Sequence, residues 1–311
     1  WLKVRNASGA HYLFDSVRLA TNYIQSNSNV VQGTDAQTLK SFDANGYTVG
    51  TSNSVNTNGE TMVGWNWKAG TAVSGNTGGS GTAKTYTGSV NATAGFSIIK
   101  YTGNGTLGHT IPHHLGVAPS MMIIKITAGD TSDWYVYHKS LGNTGIMFLS
   151  NTNAVSNSNA YWNSTTPTSS VFTVGDQTGN NSNNNTFISY NFAEVPGFSK
   201  FGTYAGNNNA AGAFVYTGFS PAFLMIKRYG GGSQNWLIYD NKRNPSNLTN
   251  LNLRPNATTA DSTNNGVDLL SNGFKFRSSD GDSNGYSDGY IYMAFAEAPI
   301  VGTNNIPANA R

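Results

Sequence analysis

Short apolar segments separated by small polar residues run along the whole chain. Within residues 186–192, large apolar side chains at Ile188, Tyr190 and Phe192 alternate with a second set that is largely polar, which is typical of a strand with one buried face. Clusters of Asn, Gly and Ser, such as residues 179–185, favour turns. Further segments of the strand type are residues 97–101, 134–138, 146–149 and 171–174. The pattern predicts an all-β protein.

The same apolar blocks recur about 100 residues apart. The block that ends at Lys125 is repeated at Lys227, and the Trp134 block is repeated at Trp236. Many short strands at this spacing predict tandem antiparallel β-sandwich or jelly-roll repeats of about 100 residues each. The residues that we expect to anchor the repeats structurally are Lys125, Trp134, Lys227, Trp236, Asp240 and Arg243.

Residues 1–70 resemble a third, truncated copy. Lys3 takes the place of Lys125, and Asp15 with Arg18 takes the place of Asp240 with Arg243. The opening strand and turn, which we place at residues 96–119 and 214–221 in the other copies, have no counterpart before Trp1. We therefore expect an unpaired edge or incomplete core here, completed by upstream residues or by a neighbouring subunit through strand addition.

The copies and the segments between them define the expected domains. Residues 71–95 form a Gly/Ser/Thr-rich linker with a lead-in strand, and residues 200–213 form an Asn-rich connector. The full list is residues 1–70 for the truncated first β repeat, 71–95 for the linker, 96–199 for the second β-sandwich, 200–213 for the connector, 214–299 for the third β-sandwich and 300–311 for a polar C-terminal arm.

Composition excludes several classes of function. The 311 residues contain no cysteine, which rules out disulfides, thiolate zinc sites and a cysteine nucleophile. Charged residues make up only 11%, the formal net charge is +3, and no more than two Lys or Arg are adjacent, so we expect no nucleic-acid partner. No apolar run is long enough to predict membrane insertion.

The repeated skeleton resembles a repeat found in tail-fibre-like and other virion structural proteins of marine bacteriophages. The resemblance rests on the stretches at residues 114–119, 197–204 and 290–297 and covers residues 1 to 299. It implies a lectin-like jelly-roll fold, a place on the virion surface or outside the cell, and a homo-oligomer that contacts other virion proteins. It brings no catalytic residues with it. His138, where the other copies have Asp15 and Asp240, departs from the skeleton.

One loop has the oxygen-ligand spacing of a calcium site. Asp280, Asp282, Asn284 and Asp288 alternate with small residues and could wrap a Ca²⁺ ion. The twelfth position is Ile291 instead of a glutamate, so the loop is not an EF-hand. A plain polar turn before the last strand is the alternative. We expect no cofactor, with Ca²⁺ at this loop as the alternative.

Four other groups could carry chemistry or pack structurally. His109, His113 and His114 could ligate zinc or simply form a turn. Each Asp–Arg pair, at three-residue spacing, is expected to lock the loop after its strand, with a sugar-binding acid as the alternative.

Glu194 and Glu297 suggest a glycosidase acid/base pair, but they stand one per copy and are expected to lie apart. Tyr161 and Trp162 lie in a polar loop outside the skeleton, so they could stack on a glycan, and the alternative is that they pack locally or fill a subunit interface.

These observations favour a non-enzymatic phage virion structural protein, such as a fibre, an appendage or a capsid decoration. A glycan-binding host-recognition module is the main alternative, and a glycan hydrolase of a fibre is the third. The glycan-binding alternative requires exposed aromatic rings in a concave site, whereas the purely structural role does not. The third requires two carboxylates in one cleft.

Overall fold

The structure is a computed structural model that describes residues 1–285, 287 and 289–297. Within these residues the helical elements are short, three α-helical turns of four residues and two 3-10 turns of three residues, and the rest of the regular structure is strand. The strands pair antiparallel in several sheets. The all-β fold class expected from the sequence is confirmed.

The first copy begins with a run of short strands. They are β1 (Leu2–Val4), β2 (Tyr12–Leu13), β3 (Asn22–Gln25), β4 (Gly33–Thr34), β5 (Leu39–Asp43), β6 (Gly46–Val49) and β7 (Met62–Gly64), with helix α1 (Asn53–Asn56) between β6 and β7. Strands β4, β3, β2, β1 and β7 form one sheet in that order, and β5 pairs with β6. The sheet therefore ends at β7.

The second copy contains eleven strands, including the longest among the described residues. They are β8 (Thr71–Asn76), β9 (Gly78–Gly79), β10 (Thr85–Asn91), β11 (Phe96–Thr102), β12 (His109–Pro112), β13 (Met121–Ala128), β14 (Tyr135–His138), β15 (Gly145–Phe148), β16 (Ser156–Asn157), β17 (Val171–Val174) and β18 (Thr186–Phe192), with helices α2 (Asn159–Trp162) and α3 (Thr178–Asn181) and 3-10 turns at Ala92–Ala94 and Lys139–Leu141. One sheet has the order β16-β15-β14-β13-β18-β11-β10-β8, and a smaller one has the order β17-β12-β9.

The third copy has the same two-sheet plan on a smaller scale. Its strands are β19 (Ser199–Ala205), β20 (Phe214–Tyr216), β21 (Phe223–Arg228), β22 (Leu237–Asp240), β23 (Val267–Leu270), β24 (Gly273–Phe276) and β25 (Gly289–Phe295). The sheets have the orders β19-β25-β21-β22 and β20-β24-β23. The order β11-β18-β13-β14 of the second copy thus recurs as β19-β25-β21-β22.

A sandwich core lies between the two sheets of the second copy. Met122, Ile124 and Ile126 occupy alternate positions of β13 and pack with Ile111 of β12 and Phe172 of β17. The intervening residues of β13 are also buried. Both faces of this central strand are therefore covered, which explains why its residues 121–126 are all apolar apart from Lys125.

The core of the third copy is built in the same way. Leu224 and Ile226 of β21 pack with Val215 of β20 and with Phe274 and Phe276 of β24. Lys227 pairs in register with Ile291, as Lys125 pairs with Ile188. The two anchor lysines thus occupy corresponding positions in their sheets.

Two segments expected to be irregular form strands instead. Ser199–Ala205 pairs with β25 over its whole length, so the connector expected at residues 200–213 begins only after Ala205, and the opening strand of the third copy is β19 rather than a strand at Phe214. Thr71–Asn76, expected to be linker, forms a hairpin with β10. Backbone hydrogen bonds to a neighbouring strand do not require apolar side chains, which is why composition did not reveal either strand.

The chain divides into two compact units. The first comprises Trp1–Asn151, Ser156–Ala193 and Asn256–Ala260, and therefore contains the first two copies together. The second comprises Thr152–Val155, Glu194–Pro255 and the described residues from Asp261 onward, and contains the third copy. The arm expected at residues 300–311 lies outside the described residues.

Candidate functional site

A fully buried lysine lies on an inner strand of the larger sheet in the second copy and in the third. The ammonium of Lys125 donates to the backbone carbonyl oxygens of Asn29, at 2.8 Å, and of Ser132. The ammonium of Lys227 donates to the carbonyls of Thr152, at 2.9 Å, and of Gln234, at 2.6 Å. Each lysine therefore ties together two irregular segments, one of them seven residues further along the chain.

Burial changes the acidity of both lysines. Loss of water around the ammonium lowers the pKa of Lys125 to about 8 and that of Lys227 to about 7. An amine of this kind could act as a nucleophile if a substrate reached it. Both side chains are fully inaccessible to solvent, so the arrangement supports a structural role. Trp134 has a similar structural role, since its indole N–H donates to the carbonyls of Gln25 and Ser28.

The Asp–Arg pairs form two closely similar buried clamps. In the first, Arg18 Nε lies 2.6 Å from Asp15 Oδ2, and Asp15 Oδ1 accepts the Arg18 backbone N–H at 2.8 Å. In the second, Arg243 and Asp240 are joined by the same two bonds at the same two distances. Each arginine also donates to a carbonyl of the preceding strand. The pairs lock the loop that follows the strand, as expected.

Two buried asparagines, which the sequence alone did not single out as a pair, form a third tie. Asn181 donates its amide to the carbonyls of Thr106, at 2.9 Å, and Gly175, at 2.6 Å, and its Oδ1 accepts the backbone N–H of Asn104 at 3.0 Å. Asn284, 103 residues later, donates to the carbonyls of Asn209 and Ser278, and its Oδ1 accepts the N–H of Asn207. The partners of Asn284 lie at the same distance along the chain from the partners of Asn181 as Asn284 lies from Asn181. This constant offset was the signal in the sequence that could have revealed the pair.

The asparagine ties give a test of how the two-sheet frame is held together. Replacing Asn284 by Ala should lower the free energy of unfolding by about 2–3 kcal/mol, because it leaves several buried backbone groups without a partner. Asn56 is exposed and donates to the carbonyl of Gly50, so Asn56→Ala is a matched control with an expected loss below about 1 kcal/mol. Urea denaturation followed by tryptophan fluorescence measures both, and equal losses would contradict this interpretation.

The described part of the proposed calcium loop is a hydrogen-bonded turn. Asp280 Oδ1 accepts the Asp282 backbone N–H at 2.8 Å. The Asp282 carboxylate accepts the N–H of Asn235 at 2.7 Å and lies 3.5 Å from Arg254. Since Asn284 is committed to the tie described above, these oxygens face protein donors rather than a common centre. Asp288, the fourth expected ligand, lies outside the described residues.

The three histidines have separate partners. His109 bonds through its two ring nitrogens to Asn181 Oδ1 and Thr77 Oγ1. His113 contacts the carbonyl of Thr168, and burial lowers its pKa to about 4. His114 bonds to the hydroxyl of Tyr86. Within the described part of the chain no three His, Cys, Asp or Glu side chains are grouped as metal ligands, so the zinc hypothesis gains no geometric support.

The two glutamates that suggested a glycosidase are engaged locally. Glu194 accepts the backbone N–H of Phe201 and lies 3.7 Å from the ammonium of Lys200. Glu297 forms an exposed ion pair with Lys242 at 2.6 Å. The Lys242 ammonium lowers the pKa of Glu297 below its usual value, which is the opposite of what a general acid needs.

Trp162 is a core residue, which corrects the hypothesis that its ring stacks on a ligand. Its exposed fraction is 1%, its indole N–H donates to the carbonyl of Gly145, and its ring packs edge-on against Tyr137. Tyr161 is half-buried and packs edge-on against Tyr135. Helix α2 turns Trp162 inward, so a loop that looks polar in sequence supplies a large side chain to the sandwich.

Two aromatic side chains that sequence reasoning missed are exposed on the third copy. Phe214 is 48% exposed and Tyr216 is 60% exposed, and they occupy alternate positions of strand β20. Residues two apart on a strand lie on the same face, so the rings stand side by side. At the corresponding positions of β12 the second copy has Thr110 and Pro112. The aromatic pair is therefore an addition that the common frame does not require.

Comparison with known proteins identifies a family but no function. Residues 1–299 match the model of a family described as a domain of unknown function, DUF7483. No curated protein matches the chain, and no solved structure does. Among the described residues, none of the helices has the length and apolar character needed to span a membrane.

Proposed function

The chain belongs to the DUF7483 family, and we propose that it is a non-enzymatic structural protein of a bacteriophage virion, placed in a fibre, an appendage or a capsid decoration. The observation that carries the proposal is that polar and charged side chains which could serve a ligand or a reaction are instead buried and form hydrogen bonds inside the protein. Lys227, Asp240 and Asn284 each bond to a segment of the third copy, and Lys125 and Asn181 each bond to a segment of the second copy.

A frame of this kind suits a protein that must persist outside the cell. Backbone segments are fastened by internal bonds without any cysteine, so their stability does not depend on redox conditions. Only 11% of the residues are charged, which leaves uncharged polar groups to solvate the surface. The resemblance of the repeated skeleton to marine phage virion proteins supplies the setting, and self-association and contact with other virion proteins belong to the same proposal.

The proposal is tested on particles of a phage that encodes this chain. Particles are purified on a density gradient and labelled with an antibody raised against the recombinant protein, with antibody pre-absorbed on that protein as the control. We expect the chain to co-sediment with intact particles and the label to mark a constant position on them. Recovery of the chain only from the particle-free fraction of the lysate would contradict the proposal.

Binding of a host-surface glycan is a second candidate, and the exposed aromatic pair favours it. Sugar rings pack against aromatic faces, and nearby polar groups can bond to their hydroxyls. Lys275 lies directly across from Phe214, and Asp268 lies across from Lys275 on the next strand. The solvent face of this sheet thus combines aromatic and charged side chains.

Replacing both Phe214 and Tyr216 by Ala should abolish retention of the protein on purified host polysaccharide. The melting temperature should stay within a few degrees of the original, because exposed side chains contribute little to the core. Phe42 is also exposed, at 46%, and lies in the other unit, so Phe42→Ala is a matched control that should leave retention unchanged. Retention of the double variant equal to that of the original chain would remove this candidate.

A further inference from the structure

The outer face of the sheet β20-β24-β23 gathers the apolar side chains that the second compact unit exposes. Among the described residues of that unit, the large apolar side chains with high exposure are Phe214, Tyr216 and Leu248. A Cβ at Gly266 would lie 2.6 Å from Leu248 Cδ2, which places Leu248 on the same face as Asp268, two residues further along the chain. Exposed apolar groups that share one face are typical of a contact surface.

The register of β20 and β24 brings one ring close to a lysine. The Phe276 N–H donates to the Ala213 carbonyl, so these two residues form a hydrogen-bonded pair of the antiparallel ladder. The next pair, Phe214 with Lys275, is then a non-bonded pair, the kind in which the two side chains lie closest. A Cβ at Gly273 would lie 3.1 Å from Phe214 Cε2, so the glycine leaves room for this ring above β24.

Lys275 is the charged group of this face that has no counter-charge. Arg277 Nε lies 2.6 Å from Asp268 Oδ2, so these two charges compensate each other. Asp268 also lies across from Lys275 on β23, but the Lys275 ammonium forms no ion pair or hydrogen bond with any residue that the structure describes. The face therefore carries one uncompensated positive charge next to an exposed ring.

The second copy shows that the frame does not need these side chains. Thr110 and Thr173 form the pair that corresponds to Phe214 and Lys275. The same two strands thus pair with threonines at both positions, without the ring or the ammonium. Two rings and one ammonium are therefore additions of the third copy, and they lie on one face, which points to a common ligand.

We propose that this face binds an acidic polysaccharide, whose sugar rings stack on Phe214 and Tyr216 while a carboxylate or sulfate group accepts a hydrogen bond from Lys275. The inference rests on the glycan-binding candidate of the proposed function and adds the charge of the ligand. An acidic sugar combines an apolar ring face, which covers the aromatic side chains, with the counter-charge that Lys275 lacks. A neutral glycan would supply only the first of these.

Pairs of polymers that differ only in charge test the proposal on the full chain. Polygalacturonate and its methyl ester have the same sugar rings with and without carboxylates, and dextran sulfate and dextran form the corresponding pair for sulfate. In biolayer interferometry, the acidic member of at least one pair should bind about tenfold more tightly than the neutral member, as expected for one charge-assisted hydrogen bond. This preference should shrink as the salt concentration rises. The pair that shows it identifies the anionic group.

Three variants assign the preference to this face. Lys275→Thr introduces the residue of the second copy and should remove the preference while leaving the affinity for the neutral polymer unchanged. Lys40 is an exposed lysine of β5, two residues from the exposed Phe42, so Lys40→Thr is a matched control that should keep the preference. The double variant Phe214→Ala/Tyr216→Ala keeps all charges and should lose binding to both members of the pair, which separates binding at this face from a general attraction of polyanions.

Several results would overturn the inference. Equal affinity for the acidic and neutral polymers would do so, and the glycan-binding candidate would still stand if the chain is retained on host polysaccharide. An unchanged preference in Lys275→Thr, or one that survives in the double aromatic variant, would show that the charge is read elsewhere. Absence of binding to all four polymers would also overturn it, and a loss of self-association in the double aromatic variant would then assign the face to a second copy of the chain.

Discussion

Replacing Asp15 by Ala should lower the free energy of unfolding by about 3–5 kcal/mol, because the change leaves the Arg18 guanidinium buried without its counter-charge. Both side chains are almost fully inaccessible to solvent. The lost carboxylate also accepts a bond of 2.7 Å from the hydroxyl of Tyr190. Arg18 and Tyr190 would therefore both lose a charged acceptor inside the protein, where water cannot replace it.

The third copy offers a matched comparison for this prediction. Arg243 also contacts Asp261, at 2.7 Å, so Asp240→Ala leaves the guanidinium one carboxylate and should cost less than Asp15→Ala. Glu297→Ala serves as the control, because Glu297 forms an exposed ion pair with Lys242 and breaking a surface ion pair changes stability little. Urea denaturation measures all three variants. A smaller loss for Asp15→Ala than for Asp240→Ala would contradict the role assigned to the clamp.

The regular part of the fold could be predicted because its signal is local. Alternation within residues 186–192 and the run of four apolar residues that opens β13 identify strands directly. The spacing between Lys125 and Lys227 predicted that they occupy corresponding sheet positions, and their registers with Ile188 and Ile291 agree. The Asp–Arg clamp was also accessible, since its two charges lie three residues apart in both copies where it occurs.

The residues whose roles the sequence left open depend on partners distant in the chain. Trp162 looks exposed because its neighbours in sequence are polar, but the carbonyl that accepts its N–H belongs to Gly145, 17 residues earlier. Asn284 resembles a calcium ligand until its acceptors at Asn209 and Ser278 are placed around it. Oxygen-rich turns of both kinds have the same composition, so only the directions of the hydrogen bonds distinguish them.

The exposed aromatic pair illustrates a different difficulty. Phe214 and Tyr216 have the alternation of a strand with one buried face, which predicts that the rings point inward. The structure buries Val215 between them instead. A shift of one residue in strand phase exchanges the two faces, and in a three-residue strand the sequence contains too few positions to fix that phase.

The stability of the third copy should rise between pH 7 and pH 9.5, because Lys227 is buried. Loss of hydration lowers the pKa of Lys227 to about 7 in the folded protein, compared with 10.5 for an unperturbed lysine. Between these values the unfolded chain binds a proton that the folded chain does not, so the free energy of unfolding increases with pH. At about 1.4 kcal/mol per pH unit, the contribution approaches about 3 kcal/mol over this range. This gain in the free energy of unfolding is complete only above pH 10.5, where the lysine is neutral in both states, and it is lost as the pH falls towards 7.

Comparison with Lys227→Met isolates this contribution from other titrating groups. The variant leaves the carbonyls of Thr152 and Gln234 without their donor, so it should be less stable than the original chain at pH 9.5. The difference between the two should narrow as the pH falls to 7, because the original protein then bears the cost of a buried charge. Lys242 is exposed, and Lys242→Met should keep the original pH dependence. Urea denaturation at half-unit pH intervals gives the free energy of unfolding of all three proteins as a function of pH. Parallel curves for Lys227→Met and the original chain would show that burial does not lower the pKa of this lysine.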